Sequence, residues 1–327
     1  MPEPNPKRLA LFKLYSDNLT LLKGNGLLPN ITPKYDRTYI CPICLTHFSE
    51  EEAMNTDADN FLTFEDVPPV SLGGKANILT CKHCNNTCGH TIDVHLSERM
   101  KEWDKHQFLP GTEAKVKIEV DKKVVQAEII VQEGGIIQVK NSYKNNNPVT
   151  LDDYIKSISD SENPVVNLKF SPTRVNPDRL QIALLKIGYL MTFKKFGYAF
   201  LLDSMYDKIR TQLLSPDEKI YPPHFWSNGD FPLEHGGAPI ITEKGLECIA
   251  PIFPLITNAT RAFITIIPLT AKPIEEVIDT LKKRLDETPH FEVEMTTIND
   301  DNLRDIKAIK NFLAWVSKLS DKNTPKN

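Results

Sequence analysis

Long apolar runs are missing from this sequence. The longest, around residues 180–193, is interrupted by Lys186 and is too short to span a bilayer, which argues against a helical membrane segment. The opening residues, MPEPNPKRLALF, lack the pattern of a secretory leader, so a cytoplasmic protein with no membrane partner is expected. An excess of either charge is missing too. With a formal net charge of -4 there is no global basic field, and any contact with nucleic acid has to come from local patches or from metal ions. No segment recurs at a fixed period, which sets aside solenoids and propellers. What remains is a 327-residue chain with 40% hydrophobic residues, enough for two or three globular domains.

Cysteine is scarce, but its placement is informative. Four of the six cysteines form two pairs, Cys41-x-x-Cys44 and Cys81-x-x-Cys84, and in a reducing compartment such pairs are better explained by metal than by disulfides. Two such knuckles supply four thiolates in a tetrahedron, which closes the shell of a structural zinc ion and leaves no position open for a substrate. Cys88 and Cys248 lie outside the pattern and read as core residues.

The second cysteine pair ends the densest stretch of the chain, residues 62–95, LTFEDVPPVSLGGKANILTCKHCNNTCGHTIDVH. Residues 62–67 have the composition of a strand that Pro68 and Pro69 end, Gly73 and Gly74 permit a tight reversal, and residues 76–79 make a second strand. Asn85 is placed to cap a short helix that runs through Thr91 to about Leu96. In helical spacing Asn85 lies near Gly89 and Asp93, which makes Asp93 the better candidate for an extra ligand.

Strand, loop, strand and helix with these residues resemble the HNH endonucleases, the ββα-metal nucleases, over residues 39–96. The resemblance implies a divalent cation, magnesium or manganese, held between hairpin and helix by Glu65 and Asn85, with Asn77 bracing the loop. Asp66 stands where the family has its general-base histidine. An unperturbed carboxylate, with a pKa of about 3.9, is a much weaker base at pH 7 than an imidazole. Asp66 therefore acts as a weak base, serves as a second metal ligand, or marks a site that no longer cuts. His83, His90 and His95 are the histidines at hand to replace the missing imidazole, though each also reads as an ordinary exposed or core side chain.

Around this module the expected fold class is α+β: a zinc-stabilised HNH-like module at 35–105, preceded by a helical arm at 1–34 and followed by a larger mixed α+β domain at 106–327. Residues 7–28 space their apolar side chains as a helix, and 49–60 form an acidic excursion that reads as a solvated loop or short helix, or else as a further cation holder. Residues 101–110 make a link, 114–120, 124–131 and 136–139 a meander, 141–148 a loop, and 165–170 another strand. Asn176 and Pro177 open a helix that Gly197 stops, so apolar that Lys186 must sit at an edge or be paired. A helix at 204–214, strands at 248–256, 262–269 and 291–295, and helices at 274–285 and 303–319 complete the chain. The segment 221–237, with His224, Asp230, Glu234 and His235, reads as a second site or as a surface loop pinned by Phe225, Trp226 and Phe231.

Two functions follow. One is a metal-dependent endonuclease acting on DNA in bacterial defence or a mobile element, with structural zinc and catalytic magnesium or manganese. The other is a zinc-stabilised nucleic-acid-binding or scaffold protein with an inactive HNH site. Either leaves room for oligomerisation through the C-terminal domain.

Overall fold

A computed structural model describes residues 5–231, 233, 236–288, 292–299 and 301–321. The chain is α+β and forms two compact units, one drawn from residues 1–96, 176–255 and 261–327, the other from 97–175 with 256–260. The boundaries expected at 34/35 and 105/106 do not follow this division. The reason lies in the partners of the first and central helices, which are in the hairpin region itself.

The first unit begins with helix α1 (Pro6–Gly24), which Asn5 caps by accepting from the backbone N–H groups of Lys7 and Arg8. Its buried face carries Phe12, Tyr15, Leu19 and Leu22. Strands β1 (Tyr39–Ile40) and β2 (His47–Phe48) pair around the first cysteine knuckle, and α2 (Glu50–Met54) opens the acidic segment with a capping box between Ser49 and Glu52. The hairpin follows, β3 (Leu62–Val67) antiparallel to β4 (Lys75–Cys81). Its reversal depends on glycine: Gly73 has a φ of 84°, and a Cβ on Gly74 would lie 1.5 Å from the Pro68 carbonyl oxygen.

Helix α3 (Lys82–Cys88) starts directly at the end of β4, and its N-cap is Cys81, whose sulfur accepts from the Cys84 N–H. Asn85 is therefore inside the helix and not its cap, contrary to expectation. The helix does not stop near residue 96 either. After one π turn at Gly89–Asp93 it continues as α4 (Val94–His106), so most of the expected link at 101–110 is helical.

In the second unit β5 (Glu113–Val120), β6 (Lys123–Val131), β7 (Ile137–Asn141) and β8 (Asn167–Phe170) form one sheet in the order β7-β6-β5-β8. Strict alternation along β5 buries Ala114, Val116, Ile118 and Val120 on one face. Helix α5 (Pro148–Ser159) covers that face with Leu151 and Tyr154. That helix was not expected from the sequence.

Back in the first unit, α6 (Pro177–Phe196) is capped by Asn176 and stopped by Gly197 at a φ of 60°, as its sequence implies. It is packed closely: a Cβ on Gly188 would fall 2.0 Å from the Thr265 hydroxyl. Helices α7 (Tyr198–Leu201) and α8 (Asp207–Leu214) follow, then strands β9 (Trp226–Gly229), β10 (Ile240–Ile241), β11 (Cys248–Ile249), β12 (Ile252–Ile256), β13 (Thr260–Thr265) and β14 (Ile267–Pro268). Helix α9 (Ile274–Glu287), β15 (Met295–Thr296) and α10 (Ile306–Asp321) end the described chain. Among the described residues no helix is long and apolar enough to cross a membrane.

One aromatic cluster ties the first unit together. Tyr15 of α1 stacks on Phe193 of α6 at 4.5 Å, and both meet Tyr198, which in turn lies edge-on to Tyr39 of β1. The expected N-terminal arm and the central helix of the expected C-terminal domain thus share a core with the cysteine module.

Candidate metal centre and the hairpin-helix site

The cysteine pairs are brought together by two separate turns. In the first, the Cys41 N–H donates to the Thr46 carbonyl and Leu45 takes a left-handed φ of 58°, which swings Cys44 back toward Cys41. In the second, the step from β4 into α3 places Cys81 and Cys84 on consecutive turns of chain. The four sulfurs lie within 4.8 Å of one another, and among the described residues this is the one group of three or more His, Cys, Asp or Glu side chains so gathered.

The donor set fits zinc. Four Zn–S bonds of about 2.3 Å in a tetrahedron put sulfurs about 3.8 Å apart, and Cys44 Sγ lies 3.7 Å from Cys81 Sγ. Backbone N–H groups already face the sulfurs: that of Cys81 donates to Cys41 at 3.4 Å, and that of Cys84 to Cys81 at 3.4 Å. Burial pushes the Cys41 thiol up, and hydrogen bonding to Cys41 holds Cys44 and Cys81 down and Cys84 up. Four such groups cannot all be charged unless a metal ion such as zinc neutralises them.

Tyrosines from the central helices hold the first knuckle. The Tyr189 hydroxyl donates to the Pro42 carbonyl at 2.6 Å, and the Tyr198 hydroxyl donates to the Ile40 carbonyl and accepts from the Ile40 N–H, both at 2.8 Å. The Tyr39 hydroxyl donates to the Leu79 carbonyl at 2.6 Å, linking the knuckle to β4.

The residues expected to hold magnesium or manganese have other partners. Glu65 points inward from β3 and is 3% exposed; its Oε1 accepts from Lys186 Nζ at 2.8 Å and its Oε2 from the Thr80 hydroxyl at 3.0 Å. Asp93, presented by the π turn, accepts from the same Lys186 Nζ at 2.5 Å. Lys186 is fully buried and bridges both carboxylates. Burial alone would lower the Lys186 pKa, but the charges of Asp93 and Glu65 outweigh it and hold the ammonium above its ordinary value. For Asp93 the balance falls the other way: burial raises its carboxyl despite Lys186. Its Oδ1 is buried with no hydrogen-bond partner.

Asn85 also spends its amide within the protein. Its Nδ2 donates to the Phe64 carbonyl at 2.7 Å and to the Thr63 hydroxyl at 3.0 Å, tying α3 across β3. Asn77 falls at a bulge, where the pairing jumps from Glu65↔Ile78 to Asp66↔Ala76, and its side-chain Oδ1 is buried without a partner among the described residues. The loop is held instead by backbone bonds to Pro69 and Val70. Asp66, beyond the bulge, is half-buried; burial and then the Glu65 charge raise its carboxyl, with Lys7 and Lys186 partly offsetting them.

Of the histidines, His83 and His90 are exposed, and His95 accepts from the Asn176 N–H through Nδ1. Cys88 and Cys248 are buried, and burial raises both thiols, Cys88 up to about 12. In the segment at 221–237, Phe225 is buried while His224 and Asp230 are exposed, and Glu234 and His235 lie outside the described residues. The acidic segment gives its Glu52 carboxylate to the Tyr35 hydroxyl at 2.6 Å.

Lys186, Thr80, Tyr189 and Tyr198 are the site residues that the sequence did not place. Lys186 carried a signal, since one ammonium on an all-buried helix requires acids to meet it. Comparison with protein-family models, with curated proteins and with solved structures finds no match to this chain.

Proposed function

We propose that the chain is a zinc-stabilised nucleic-acid-binding protein built on an HNH-like ββα hairpin that does not cut. One observation carries the absence of cutting: the Lys186 ammonium is bound to Glu65, the carboxylate expected to hold the divalent cation, and to Asp93, the expected extra ligand. Phosphodiester hydrolysis on such a scaffold needs a metal touching the scissile phosphate. A buried ammonium supplies neither the open coordination position nor access for the phosphate. Zinc on Cys41, Cys44, Cys81 and Cys84 would hold the hairpin and helix in place without taking part in chemistry.

The test is a plasmid-nicking assay on zinc-loaded protein with magnesium and then manganese. No cleavage above the background of Glu65→Ala protein is expected, and cleavage that Glu65→Ala abolishes would overturn the reading.

Asp66 favours the second reading, a metal-dependent endonuclease acting on DNA. It is half-buried, no side-chain hydrogen bond among the described residues ties it down, and its carboxyl is shifted upward, toward a useful base. Under that reading Asp66→Ala loses cleavage and keeps its zinc.

A further inference from the structure

The alternation that turns Glu65 inward turns Phe64 to the other face of β3, where the first turn of α1 meets it, while the first residue of α3 meets the neighbouring Phe61. Lys7 Nζ lies 5.5 Å from the centre of the Phe64 ring, and the Arg8 guanidinium 5.7 Å from Phe64 and 5.6 Å from Phe61. Lys82 Nζ lies 5.3 Å from Phe61. Lys7, Phe64, Arg8, Phe61 and Lys82 thus form a row in which each ring is shared by two cations. Lys7 is exposed and the other four are half-buried.

Among the described residues none of the three cations forms an ion pair with a carboxylate. Asp66 is the acid that feels the row, through Lys7. The Arg8 Nε is buried without an acceptor, so ring contacts and not a hydrogen bond hold its guanidinium. Three adjacent cations with no ion-pair partner among the described residues, in a chain of net charge -4, suit an anionic partner.

We propose that this row binds single-stranded nucleic acid, with phosphates on Lys7, Arg8 and Lys82 and unpaired bases against Phe61, Phe64 and the Arg8 plane. The inference rests on the nucleic-acid reading above and names its surface. A repeating partner that carries one anion and one flat ring per unit matches alternating cations and rings. An acidic peptide offers the charge without the ring, and a duplex keeps its rings stacked inside.

The test uses the full zinc-loaded chain and fluorescence anisotropy with labelled oligo(dT) and oligo(U), across about 50–200 mM salt. Three neutralised phosphates on a single strand give a slope of log affinity against log salt of roughly -2. Lys7→Gln/Arg8→Gln/Lys82→Gln is expected to flatten that slope and weaken binding at least about tenfold at the low-salt end. Phe64→Leu should weaken binding with the slope unchanged, and Lys194→Gln/Lys195→Gln, on α6, should change neither.

Zinc content and melting temperature are measured for every variant. If the triple variant fails to fold, Lys7→Gln and Lys82→Gln, each expected to weaken binding several-fold, carry the comparison. Wild type that binds while the charge variants bind equally well with the same slope overturns this surface but leaves the nucleic-acid reading standing. Wild type that binds neither single strands nor duplex overturns both. Tighter binding of a duplex, or equal competition by poly-glutamate, overturns the single-strand assignment.

Discussion

The β3–β4 hairpin carries two candidate cation sites, and they differ in what surrounds the donors. At its open end Cys81 joins three other sulfurs, all within 4.8 Å of one another. Toward its turn Glu65 and Asp93 already share the ammonium of Lys186. The thiol cage could take an ion from solution, whereas the carboxylate pair already shares an ammonium from the chain's own helix. Under the proposed reading the hairpin has a structural metal position and no catalytic one, because a single residue on a neighbouring helix occupies the second.

The largest effect should come from breaking the cage. Zinc contributes about 10–16 kcal/mol to small zinc-finger peptides, comparable to the whole stability of a domain. Cys41→Ser or Cys81→Ser should lose zinc and destabilise the entire first unit, since Tyr189 and Tyr198 grip the first knuckle. Metal analysis with thermal unfolding reads both, and zinc-free protein that melts like wild type would refute it.

Next comes the ammonium. Lys186→Met leaves two buried carboxylates uncompensated and should cost about 3–5 kcal/mol, while adding Glu65→Gln and Asp93→Asn should recover most of that loss. Urea unfolding of the single and triple variants makes the comparison. The wild-type pair also has a signed pH dependence. The folded Lys186 pKa lies above its unfolded value, so its stabilisation is complete below the unfolded pKa and is lost as pH rises through the folded one. Lys186→Met should therefore flatten the stability curve on the alkaline side. Asp66→His, which restores an imidazole, should stay silent in nicking assays, because it leaves Lys186 in the cation position.

Two smaller effects sharpen the contrast. Asn85→Ala removes two hydrogen bonds that join α3 to β3, and about 1–2 kcal/mol should be lost with zinc content unchanged. Asp66→Asn should act in the opposite direction. The Asp66 carboxyl is raised on folding, so stability falls as pH rises through its folded pKa; the amide should raise the melting temperature slightly at pH 7 and not at pH 3. A variant less stable than wild type at pH 7 would contradict this.

Local signals were legible where one residue type serves one geometry. Asn-Pro before α6, Gly197 after it, the diglycine of the hairpin and both cysteine pairs could be read directly. The same Asn-Pro signal opens α5 at Asn147 and Pro148, where the preceding run of asparagines reads as loop and hides a helix held by Leu151 and Tyr154. The N-terminus of α3 was misplaced because Asn85 is a good cap on paper, while a cysteine sulfur does the capping. The partners of Glu65 and Asp93 lie on a helix about a hundred residues away, and no local pattern reports a contact of that kind. The unit boundaries were hidden for the same reason, since the central helix packs on the beginning of the chain.

The claim that Lys186 fills the divalent position is tested most directly by manganese binding. Zinc-loaded protein titrated with manganese is followed through the electron paramagnetic resonance signal of the free ion, for wild type and for Glu65→Gln. The account predicts that wild type leaves the free-ion signal undiminished and matches Glu65→Gln. Loss of one equivalent of signal in wild type, restored by Glu65→Gln, would contradict it.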